Sequence, residues 1–156
     1  MPIVNSAVDA DGCRVRWRFG APADLVWDGL TDRVWLRRWL GAVVSGEVAL
    51  GETVVIDHGD GQRSESRVLT AEPGSALELT WSFPDEPMSR VEVTLDAEGE
   101  GGTTLTLTHR GLGELASGYR VGWHVHLLYL SAALRASPMA LDRFWEVHEK
   151  VARAYP

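Results

Sequence analysis

The amino-acid sequence predicts an α+β fold in which a curved antiparallel sheet of about seven strands wraps a long C-terminal helix. Three observations predict it. The segment CRVRWRF alternates apolar and basic residues, the stretch from Val43 to Arg110 keeps the same period of two between turn-forming clusters, and GYRVGWHVHLLYLSAAL carries apolar residues at helical spacing. The chain has 156 residues, the length of one domain, and no repeat, linker or composition shift divides 1–156.

Each element follows from its residues. In CRVRWRF, Val15, Trp17 and Phe19 point one way and Arg14, Arg16 and Arg18 the other, giving a strand with one wet face. APADLVWDGLTDRVWLRRWLG reads as two short helices after that first strand. Pro22 suits a first helical turn, Asp24 lies near a positive helix end, Thr31 or Asp32 caps the second helix, and Gly41 stops it. From Val43 onward, HGDG, EPGS, PDEP and EGEGG punctuate a meander of about six strands. Its later inward rows are Leu77, Leu79, Trp81 and Phe83, then Ser89, Val91, Val93 and Leu95, then Leu105, Leu107 and His109. Gly111 and Gly113 end the sheet, and the long helix runs from about Ser117 to Ala136 until Ser137-Pro138 stops it. An extra C-terminal helix follows, with Leu141, Phe144, His148, Val151 and Tyr155 on one stripe.

Composition narrows the function classes. A net charge of −7 and a pI near 5.2 repel phosphate backbones, which argues against nucleic acid as a partner. The N-terminus lacks the basic and apolar regions of a leader, and no apolar run approaches the roughly 20 residues of a membrane span. Cys13 is alone, so no intrachain disulfide forms and a reducing, cytoplasmic location is expected. Seven tryptophans suggest an aromatic-lined interior with room in it.

The His124-x-His126 pair invites a metal reading. Residues two apart on a helix are rotated by about 200°, so these two rings cannot grip one ion from one face. No metal and no cofactor are expected. His126 flanks the stripe of Tyr119, Trp123, Leu127, Leu130 and Leu134 that should meet the sheet. It is either a boundary histidine bonded to a backbone carbonyl or water, or a partner of His109 in a space between helix and sheet. In IDHGDG the glycines favour a hairpin turn over a metal loop, Ser117 reads as a helix N-cap, and Cys13 reads as a small buried hydrophobe.

Taken in order, APADLVWDGLTD with LRRWLG, PGSALELTW, GGTTLTLTHRGL and GWHVHLLYL resemble the activator of Hsp90 ATPase homologue-like branch of the START-like (SRPBCC) helix-grip superfamily. The resemblance spans about Arg16 to Leu134. It implies binding of a hydrophobic or amphipathic small molecule in a cavity between the sheet and the long helix, faced or bordered by Trp39, Trp81, His109, Trp123, His126, Leu127 and Leu130. A void of ~300 Å³ or more touching both histidines is expected. It also implies two alternatives: an enzyme of polyketide cyclase, dehydratase or hydrolase type with His109 or His126 as general base, and an Hsp90 co-chaperone-like interaction protein. The segment 139–155 departs from the family pattern. It could pack on the outer side of the long helix, cover the cavity mouth or join a second subunit in a homodimer.

Overall fold

The computed structural model of the chain describes residues 3–155. Eight strands form one antiparallel sheet: β1 (Ile3–Val8), β2 (Cys13–Phe19), β3 (Ala42–Ser45), β4 (Thr53–Asp57), β5 (Arg63–Glu72), β6 (Ala76–Trp81), β7 (Ser89–Ala97) and β8 (Thr103–Arg110). The helices are α1 (Ala23–Thr31), α2 (Arg33–Trp39), α3 (Ala116–Leu134) and α4 (Phe144–Ala152). Spatial order along the sheet is β1-β2-β8-β7-β6-β5-β4-β3. The helix-grip plan is therefore present with one strand more than the roughly seven expected. The addition is β1, whose residues are half-buried or exposed throughout, so its apolar pattern never alternates cleanly enough to announce a strand.

The inward rows are those the period of two assigns. Val15, Trp17, Leu77, Trp81, Val91, Val93, Leu105 and Leu107 are buried with Trp123, Leu127 and Leu130 of α3 in one core, Leu79 packs against it partly buried, and Arg14 and Arg18 lie outside. Strand β2 pairs with β8 over its whole length, from Cys13↔His109 to Phe19↔Thr103, which places the ring of His109 inside the end of the sheet. Asp32 caps α2, its carboxylate accepting from the Val34 N–H at 2.8 Å. A short 3₁₀ turn, Gly113–Leu115, leads into α3, so Ser117 lies inside the helix and is not its cap.

Two packing details set the shape of the interior. Gly29 of α1 sits so close to α3 that a Cβ there would lie 2.9 Å from Leu130 Cδ1, so Leu130 fills a helix contact. Helix α4 lies along the outer side of α3: Phe144 stacks 4.5 Å from His126, and Tyr155 accepts or donates a 2.6 Å hydrogen bond at His124 Nδ1. Of the three placements open for 139–155, the outer side of the long helix is the observed one. No helix among the described residues is long and apolar enough to cross a membrane.

Candidate functional site

A cavity of about 50 Å³ remains between the concave sheet, α1–α2 and α3. Trp39, Trp81 and Trp123 form its rigid walls, the inward rows of β6, β7 and β8 its floor, and Leu127 part of its roof. Among its lining residues only Val48 and Leu79 are incompletely buried, so the cavity meets solvent between the β3–β4 connection and β6. Outside lies a polar surface cleft of about 420 Å³ bordered by Asp28, Asp32, Arg33 and Glu47. Val48 borders both spaces and separates them.

The polar lining is sparse. Each wall tryptophan spends its indole N–H within the protein: Trp39 on the Gly29 carbonyl at 2.7 Å, Trp81 on the Tyr119 hydroxyl at 3.0 Å, Trp123 on His109 Nδ1 at 3.0 Å. Toward the cavity they present ring faces and C–H edges. Among the described residues no charged side chain lines the space. The remaining polar residue is Ser66 on β5. Period-two phase puts Ser64, Ser66 and Val68 in one inward row, so RSESRV held a signal for this serine.

Of the seven residues expected at the site, Trp39, Trp81, Trp123 and Leu127 line this cavity. His109, His126 and Leu130 do not, and the expected void of ~300 Å³ touching both histidines is not met. The reason for His109 is chemical. Its Nδ1 accepts from the Trp123 indole, which leaves the proton on Nε2, and Nε2–H donates to Ser89 Oγ at 2.7 Å. Ser89 in turn donates to the Trp81 carbonyl at 3.4 Å. The Tyr119 ring covers the imidazole at 4.7 Å, and the Tyr119 hydroxyl donates to Glu86 at 2.5 Å. Burial pulls the His109 pKa down to about 3, so the ring is neutral near pH 7 with both nitrogens occupied. It has no lone pair left with which to act as a general base.

His126 answers to the boundary reading. Its Nδ1 donates to the Trp39 carbonyl at 2.9 Å, and its half-buried ring packs between Phe144 and Trp123. Burial first, then the neighbouring His58 and His148, lowers its pKa to about 3 against the opposing pull of the Trp39 carbonyl. His124 points elsewhere, with its edge near Trp17 and its Nδ1 on Tyr155. The two histidines occupy different environments, as the helical rotation requires. The hairpin turn of IDHGDG also supplies His58, whose ring turns inward to lie 5.6 Å from Trp81. Nδ1 donates to the Leu40 carbonyl at 3.0 Å and Nε2 accepts from Ser64 at 2.7 Å. Burial pushes the Cys13 thiol up to about 12, in keeping with a buried apolar role.

Residues 20–135 match the family model described as Activator of Hsp90 ATPase homolog 1-like protein. Among solved structures, CalU16 from Micromonospora echinospora is 27% identical, with 92% of this chain and 84% of CalU16 covered and a TM-score of 0.75. DynU16, from the dynemicin biosynthetic locus, is 28% identical with a TM-score of 0.75; 83% of this chain matches 49% of DynU16, so the chain spans about half its length. The Aha1 dimer from Colwellia psychrerythraea shares the fold at 19% identity, with 78% of this chain and 93% of that one covered and a TM-score of 0.68. No curated protein matches the chain.

Proposed function

The chain belongs to the Activator of Hsp90 ATPase homolog 1-like family, and from that premise we propose that it binds a hydrophobic or amphipathic small molecule in the space between sheet and α3. The observation that carries the reading is the cavity itself: three tryptophan walls, a floor of branched aliphatic side chains and one hydroxyl, a composition typical of small-molecule sites. The likeness to DynU16, a protein of a biosynthetic locus, supports a ligand of secondary-metabolite type.

Size sets a condition on this function. A dry cavity of about 150 Å³ accommodates benzene, whereas this one measures about 50 Å³. Binding therefore requires side chains to move. The wall suited to yield is the β3–β4 connection, where Val48 stands between the cavity and the outer cleft and Leu50 is 66% exposed. The sheet floor is held by continuous ladders through β6, β7 and β8 and has no comparable freedom.

Titration with naphthalene, followed by the fluorescence of the wall tryptophans, tests the reading. Saturable quenching is expected, faster in onset for Val48→Ala. Val93→Phe, which adds volume at the floor, should abolish it while thermal unfolding remains cooperative. Equal quenching of wild type and Val93→Phe would place binding outside this cavity and sink the proposal.

A further inference from the structure

We infer that Ser66 selects the ligand: the cavity is built for a neutral, largely apolar molecule carrying a single hydrogen-bonding oxygen held against β5. The inference rests on the reading of the cavity as a binding site. Ser66 is 3% exposed and lines the cavity; its hydroxyl makes no hydrogen bond to the described residues, and it is not one of the fully sealed polar atoms, so it opens onto the cavity space. A hydroxyl that opens onto an apolar cavity and is bonded to nothing in the protein is available to a polar atom that enters there.

Its neighbour supplies the contrast. Ser64, two residues away in the same inward row and 1% exposed, has its hydroxyl committed to His58. Position explains why Ser66 remains free. The β5–β6 ladder is interrupted between Glu65↔Ser82 and Val68↔Leu79, and Arg67 N–H turns to Thr80 Oγ1 at 2.9 Å instead of to a strand carbonyl. Ser66 sits at that step and lines the cavity.

The rest of the lining defines what Ser66 would hold. With the three indole N–H groups already bonded, a ligand oxygen finds no competing donor on the walls. Among the described residues no lysine, arginine or histidine lines the space to neutralise a carboxylate, and no Asp or Glu to meet an ammonium group. A charged ligand would lose its hydration without a counter-charge, so it is rejected. A serine hydroxyl both donates and accepts, so phenols, alcohols and ketones all qualify.

Benzene, phenol and benzoate at pH 7, titrated by calorimetry into wild type and Ser66→Ala, decide the matter. Wild type should bind phenol roughly fivefold to tenfold more tightly than benzene, the yield of one hydrogen bond, and benzoate more weakly than either. In Ser66→Ala the phenol preference should vanish while benzene binds unchanged or more tightly, with no fall in melting temperature. If phenol keeps its preference in Ser66→Ala, the anchor is elsewhere and the selection inference fails while the binding function stands. Benzoate binding as tightly as phenol would overturn the neutral-ligand assignment. Failure of all three probes to bind wild type would overturn both the selection and the function it rests on.

Discussion

The two ends of the interior use polar atoms in opposite ways. Where β7 and β8 meet α3, Trp123, His109, Ser89 and the Trp81 carbonyl form a closed chain in which every ring nitrogen has its partner. Toward β5, the hydroxyl of Ser66 faces a cavity with its hydrogen-bonding capacity unspent. Both ends contain polar residues in phase with apolar rows. The difference teaches that consumed capacity at His109 marks scaffolding, while a hydroxyl left over beside a cavity is available to a ligand.

The largest effect should come from breaking the closed end. His109→Phe keeps an aromatic ring in the fully buried site but strands the Trp123 N–H and removes the donor to Ser89, whose hydroxyl keeps only its 3.4 Å bond to the Trp81 carbonyl. A loss of about 1–3 kcal/mol in urea unfolding is expected from one buried N–H deprived of its partner and one hydrogen bond lost at Ser89. Affinity for an apolar probe such as benzene should stay within about twofold, because the ring does not line the cavity. A changed affinity with little loss of stability would place His109 at the site after all.

A smaller, pH-dependent effect sharpens the same contrast. His109 is held neutral in the fold, its pKa pulled by burial from 6.5 to about 3. The unfolded chain therefore binds the extra proton between these values and the folded chain does not. Its contribution to stability is complete above pH 6.5 and is lost as pH falls toward about 3. In urea unfolding between pH 6.5 and 5, above the main carboxylate range, this group should add a slope of up to about 1.4 kcal/mol per pH unit. His126 shifts in the same direction and adds to it. His109→Asn should remove its own share of the slope and leave the share that His126 and the other lowered histidines contribute. An unchanged slope in that variant would mean that the imidazole is solvated in the fold.

What the sequence disclosed follows from how each feature is encoded. The sheet rows and the α3 stripe are periodic, so Trp17, Leu107 and Leu127 are legible from spacing alone. The opposed environments of His124 and His126 follow from helical rotation. Periodicity says which face a residue takes, but not whether its polar atoms find partners. Spacing puts His109 on the inner face, yet its satisfaction depends on Trp123 and Ser89, 14 and 20 residues away, whose meeting only the fold creates. Leu130 likewise belongs to the α3 stripe but is taken up by Gly29 of α1. Ser66 was legible as an inward serine in RSESRV. That its hydroxyl stays free depends on the broken β5–β6 ladder, which no local pattern records.

The smallest effects come from the two serines of β5 and carry the finest test of the comparison, because the substitution is the same and the expected effect is not. Ser64→Ala removes the hydroxyl that donates to His58 Nε2, leaving a half-buried imidazole nitrogen with no protein partner. It should destabilise the chain by about 1–2 kcal/mol. Ser66→Ala removes a hydroxyl that bonds to nothing in the protein, and alanine is at least as well accommodated by the apolar lining. It should leave stability unchanged to within about 0.5 kcal/mol, since no hydrogen bond within the protein is lost. Urea unfolding of both variants under one set of conditions, with no probe ligand present, reads the difference directly. Because the two sites lie in one row of one strand, changes in strand propensity and in the unfolded chain largely cancel between them. Equal destabilisation by both variants would show that Ser66 is bonded in solution as firmly as Ser64, and the two ends of the interior would then differ in volume alone.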